Sequence, residues 1–143
     1  MSGYGSNAKL AAYRSVSAYG AVTAATDPHR LILMLMDGAI ERLTTAQGCL
    51  ERGEIVQKTK LLHSCITIVA ELRGSLNMKD GGDVAGNLNK LYGYMIRRLL
   101  LANAANDPRY LSEVRQLLND IRGAWTAIGP SVRSNAAAPP AAR

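Results

Sequence analysis

Phenylalanine is absent from this 143-residue chain, and tryptophan occurs once. Any core must therefore be built from aliphatic side chains, methionine and tyrosine. Two cysteines, Cys49 and Cys65, cannot form the disulfide framework that staples small secreted domains. No apolar run approaches the ~20 residues of a membrane span, which argues against membrane insertion. The first eight residues are small and polar, without the basic-then-apolar pattern of a signal peptide, so a cytoplasmic location is expected. Acidic residues are missing from both flanks: residues 1–26 carry Lys9 and Arg14 and no acid, and residues 129–143 carry Arg133 and Arg143 and no acid. The net charge of +6 thus leaves 13 basic against 11 acidic residues, or +2, in residues 27–128. A surface that binds nucleic acid clusters its charge on the fold, and this distribution weighs against one.

The most telling stretch present is Thr26 to Ala39, TDPHRLILMLMDGA. Thr26 or Asp27 can cap a helix, and Pro28 suits its first position. Six large apolar residues, Leu31 to Met36, then follow without a break. A surface helix shows a single apolar stripe, so these turns must be covered on nearly every side.

Four long segments step their apolar residues by three or four, the helical period: Pro28 to Glu51, Glu54 to Leu76, Asp83 to Ala105 and Pro108 to Ile128. Arg52-Gly53, Asn77 to Gly82 and Asn106-Asp107 join them closely. Helices of this length with such short joints must run antiparallel. The fold class expected is all-α, an up-down-up-down four-helix bundle over residues 27–128. In that arrangement Cys49 and Cys65 lie about 13 Å apart along the axis, beyond disulfide reach, so both are expected to be reduced and buried. The first segment, 1–26, holds a short amphipathic helix over residues 8–20, with Leu10, Tyr13 and Val16 on one face. It is too short to hold itself together in water, so it is ordered only if docked. The last segment, 129–143, is rich in alanine and proline and is expected to be disordered.

No catalytic constellation can be assembled. His29 and His63 stand in no Glu-x-x-His pair of the kind that binds metal in bundles, and GGDVAG lacks the strand context of a phosphate loop. No enzyme, metal or cofactor is expected. What stands out is surplus apolar surface. Leu61, Cys65, Ile68 and Leu72 make a second stripe on the second helix, and Ile96, Leu100 and Leu101 widen the third. Large exposed apolar patches mark binding sites. Three occupants fit this one equally well: a partner protein, residues 8–20, or a second copy of the chain.

Several strings resemble a known family. They are Tyr13-Arg14-Ser15-Val16, TDPHRLILMLMDGAIERL (Thr26–Leu43), ELRGSLNMKDGGDVAGNLNKLYGYMIRRLLLAN (Glu71–Asn103) and EVRQLLNDIRGAW (Glu113–Trp125). They are collinear over residues 13–128 and resemble the flagellar secretion chaperones of the FliS family. That resemblance implies a bundle that binds the disordered C-terminal segment of flagellin, keeps it from polymerising in the cytoplasm and delivers it to the flagellar type III export gate. It also implies that the segment bearing Tyr13 covers part of the client groove when no client is bound. The client-binding residues expected are Leu10, Tyr13, Val16, Leu61, Cys65, Ile68, Leu72, Ile96 and Leu100. Asp27 stands where members of the family often carry serine, one or two extra residues lie between Val22 and Pro28, and the Ala/Pro tail is not a family feature. The competing reading is a small basic helical regulator that binds nucleic acid or an anti-sigma-like protein.

Overall fold

A computed structural model describes residues 27–128. The expected lid helix and tail, in residues 1–26 and 129–143, lie outside the described residues. Four helices follow in order: α1 Pro28–Glu51, α2 Ile55–Gly74, α3 Gly82–Ala105 and α4 Pro108–Ala127. Among the described residues there are no strands.

Local chemistry sets the ends. The Asp27 side chain accepts from the Arg30 amide, and the Asp107 side chain accepts from the Arg109 amide at 2.9 Å. In both helices a proline follows the cap, at a position where its missing N–H costs nothing. α3 stops at Asn106, which is left-handed (φ 53°) and donates its amide to Ala102 O at 2.9 Å, a helix-ending device that asparagine tolerates. The α1–α2 turn needs Gly53 at φ 75°. Ahead of α3, a Cβ on Gly81 would lie 2.5 Å from the Asn77 carbonyl oxygen, so no side chain fits there without a shift.

Cross-helix hydrogen bonds give the directions. Arg42 Nε donates to Ser64 Oγ (2.7 Å), Arg73 Nε to Asn89 Oδ1 (2.7 Å), Arg98 Nε to Glu113 Oε1 (2.7 Å) and Gln47 Nε2 to Ser112 Oγ (2.9 Å). Beside them stand Cys65 to Ala39, Lys58 to Asn103, Trp125 to His29 and, between α3 and α4, Tyr94 to Glu113 and Arg98 to Tyr110. From Tyr94–Glu113 to Arg98–Tyr110, as from each other bridge to the next between the same two helices, the position rises on one helix as it falls on the other, so adjacent helices run antiparallel. α1 packs on α2 and α4, and α3 packs on α2 and α4. This is the up-down-up-down bundle. Its core combines Met36, Leu43, Leu62, Val69, Met95, Leu99, Leu111, Val114 and Leu118.

The run from Leu31 to Met36 is covered unevenly: Leu35 and Met36 are buried, while Leu31 to Met34 are half-buried. Cys49 and Cys65 are free and buried, as expected. Ile55, Val84 and Ile128 continue the helical period of their segments but are exposed. They sit in the first turns of α2 and α3 and just beyond α4.

Candidate functional site

α2 and α3 are tied together along their length by polar bridges. Near one end, the Lys58 ammonium donates to Asn103 Oδ1 at 2.8 Å and to Asn103 O at 3.1 Å, and Thr59 Oγ1 donates to the same Oδ1 at 3.2 Å. Lys58 is buried. Its amine satisfies a carbonyl in the last turn of α3, which has no helical partner, and burial pulls its pKa below the usual lysine value. Near the other end, Arg73 bonds Asn89, and its guanidinium lies 3.3 Å from where a Cβ of Gly93 would stand. Gly93 thus leaves room for Arg73 to cross from α2.

These bridges fix the register. Lys58 with Asn103, and Arg73 with Asn89, bring Ile66 level with Ile96. On α3 the sequence Asn89, Gly93, Ile96, Leu100 steps by four, three and four, which keeps it on the one face turned to α2. On α2 the matching face carries Val56, His63 and Ala70, spaced by sevens. Between the helices Ile66 and Ile96 are half-buried and packed against the core. At the rim, Val56 is 71% exposed and Leu100 54% exposed. These residues follow the α2–α3 seam, about 20 Å long by the helical rise over residues 56–70, and that seam is the candidate binding groove.

Of the residues singled out from the sequence, Ile96 and Leu100 line this groove. Leu61 is half-buried against the core. Cys65, Ile68 and Leu72 are 0%, 2% and 1% exposed, which corrects the expectation that their stripe is surplus surface. They belong to the core cluster shared with α1, and the Cys65 thiol sits 3.8 Å from the Ala39 carbonyl oxygen of α1. Burial pushes that thiol up to about 12, so it stays protonated and unreactive at neutral pH. Leu10, Tyr13 and Val16 lie outside the described residues. Val56 was not among the residues singled out from the sequence, and Ile66, assigned to the core from its spacing, is packed against it and half-buried. The spacing of Val56, His63 and Ala70 by sevens was the available signal.

A second surface feature lies between α3 and α4. The Arg98 guanidinium stacks 4.3 Å from the Tyr110 ring centre and pairs with Glu113, which also accepts from the Tyr94 hydroxyl. Hydrogen bonding from Tyr94, then Arg98, holds the Glu113 carboxyl below its usual pKa. These groups satisfy one another and join the two helices. Among the described residues no group of three His, Cys, Asp or Glu is placed to hold a metal, and no helix is long and apolar enough to cross a membrane.

The comparisons with known proteins agree on one family. The family model described as "Flagellar protein FliS" matches residues 9–132. The chain is 40% identical to the flagellar secretion chaperone FliS of Vibrio cholerae, over 90% of this chain and 94% of the relative. It is 45% identical to the FliS of Salmonella typhimurium, over 85% and 90%, and 45% identical to the FliSB of Pseudomonas aeruginosa, over 81% and 91%. With the four-helix bundle and near-complete coverage in both directions, the chain belongs to the FliS family of flagellar secretion chaperones.

Proposed function

We propose that this flagellar secretion chaperone binds the C-terminal segment of flagellin in the α2–α3 groove, holds it unpolymerised in the cytoplasm and passes it to the flagellar type III export gate. The observation that carries this reading is the groove itself. Val56 and Leu100 are left open to water along the same seam as the half-buried Ile66 and Ile96. Its length suits about four turns of an amphipathic client helix laid along it. A segment that builds a filament through apolar contacts needs a substitute apolar surface until it leaves the cell.

Calorimetric titration of a flagellin C-terminal segment tests this. Leu100→Asp, at an exposed position, keeps the helical spectrum and weakens binding by tenfold or more, about 1.4 kcal/mol. Unchanged affinity in that folded variant removes the groove as the client site.

A further inference from the structure

The bundle is close to neutral as a whole, yet its charge is segregated. α1 and α4 together carry five basic and five acidic residues, while α2 and α3 carry six basic and two acidic. Residues 55–70 and 84–106 contain no Asp or Glu at all. Because α2 and α3 pack side by side, these acid-free stretches form one face around the apolar groove. Lys60, Arg73, Lys90 and Arg97 are exposed. Lys60 and Arg97 lie toward the end with Val56 and Leu100, and Arg73 and Lys90 toward the other end. Three cations elsewhere are paired: Arg109 with Asp107, Arg122 with Asp37 and, on the α3–α4 side, Arg98 with Glu113. Among the described residues no carboxylate lies within ion-pair distance of Lys60, Lys90 or Arg97.

We infer that the occupant of the groove is an apolar helix segment flanked by carboxylates, which meet Lys60, Lys90 and Arg97 along the groove's edges. This rests on the reading that the α2–α3 groove is the client site, and it adds the client's charge to that reading. Apolar residues at the centre with unpaired cations at the rim match the anatomy of a protein interface, in which the rim charges steer encounter and select partners. A phosphate-binding face needs no apolar centre, so an acidic protein segment is favoured over nucleic acid.

The test uses the full chain, the triple variant Lys60→Glu/Lys90→Glu/Arg97→Glu and Leu100→Asp, each titrated with a flagellin C-terminal segment. The triple variant, altered only at exposed positions, is expected to bind at least tenfold more weakly at 0.1 M salt. The gap is expected to close toward 1 M, where the screening length falls from about 10 Å to about 3 Å. Changing the segment's own carboxylates to amides is expected to reproduce the loss. Full affinity in the triple variant, with Leu100→Asp still defective, overturns the charge inference and leaves the groove reading standing. Full affinity in Leu100→Asp overturns the groove reading itself. A DNA oligonucleotide that binds the chain as tightly as the segment, and is unaffected by Leu100→Asp, overturns the inference in favour of nucleic acid.

Discussion

His29 and Trp125 grip each other across the bundle by two reciprocal hydrogen bonds and a ring stack. The indole N–H donates to the His29 carbonyl at 3.0 Å, His29 Nε2 lies 2.7 Å from the Trp125 carbonyl oxygen, and the rings stack 4.8 Å apart and 9° from parallel. The pair ties the first turn of α1 to the last turn of α4, so the two ends of the described chain are closed onto each other. The indole supplies the stack and one of the two bonds; the other is to the Trp125 main-chain carbonyl.

Trp125→Ala is expected to destabilise the domain by about 3 kcal/mol, the lower end of the range for truncating a large aromatic, because Trp125 is half-buried rather than enclosed. Trp125→Phe keeps the stack and loses the N–H, and is expected to cost about 1 kcal/mol. Urea denaturation of the two variants separates packing from hydrogen bonding. Equal losses in both mean that the hydrogen bond carries the whole effect.

Cys65 makes stability depend on alkaline pH. Its folded pKa, pushed up to about 12 from the ordinary 9.0, means that the unfolded chain loses the thiol proton first. The stabilisation is complete below about pH 9 and is lost as pH rises toward 12, with a slope of at most about 1.4 kcal/mol per pH unit. Cys65→Val is expected to flatten the loss between about pH 9 and 10, below the range where Tyr92, also raised to about 12 from 10.0, adds its own. Parallel slopes for the two proteins refute the assignment to Cys65.

Ile68 and Leu100 are expected to behave as opposites. Ile68→Asp places a carboxylate in the core and unfolds the chain or leaves it severely destabilised, since a buried unpaired charge has no compensation. Leu100→Asp leaves the melting temperature within a few degrees of the parent. Circular dichroism melts decide it. A stable Ile68→Asp would reopen the stripe of Leu61, Cys65, Ile68 and Leu72 as a binding surface.

Lys58 is a buried cation whose hydrogen bonds are to Asn103. Lys58→Ala removes both donors and the packed stem, and is expected to cost about 2 kcal/mol. Lys58→Met keeps the stem and relieves the desolvation of the ammonium, so it is expected to cost less. Thermal melts that place Met at or above the parent would show that desolvation outweighs the bonds to Asn103, and melts that rank Met with Ala would show that the stem contributes little.

The helices and their joints were legible in the sequence because their causes are local. Asp-Pro caps at Asp27-Pro28 and Asp107-Pro108, the glycine turn at Gly53 and the three-to-four-residue period act within a few residues, and α1 and α3 end where that period fails. Short joints then left the antiparallel bundle as the economical packing. The open face of α2 could not be read this way. Leu61, Leu62, Cys65, Ile66, Ile68 and Val69 spread over about 160° of the helix at 100° per residue, and period alone cannot say which edge of so wide a face a neighbour covers. Packing decided it: α1 and the core cover Cys65, Ile68 and Leu72, while Val56 stays open and Ile66 half-covered beside Ile96 and Leu100 of α3. Charge followed the same rule. A chain sum of +2 over residues 27–128 looks balanced, and only the placement of α2 beside α3 gathers the acid-free stretches onto one face, because charge density on a surface depends on which helices are neighbours and not on their order in the chain.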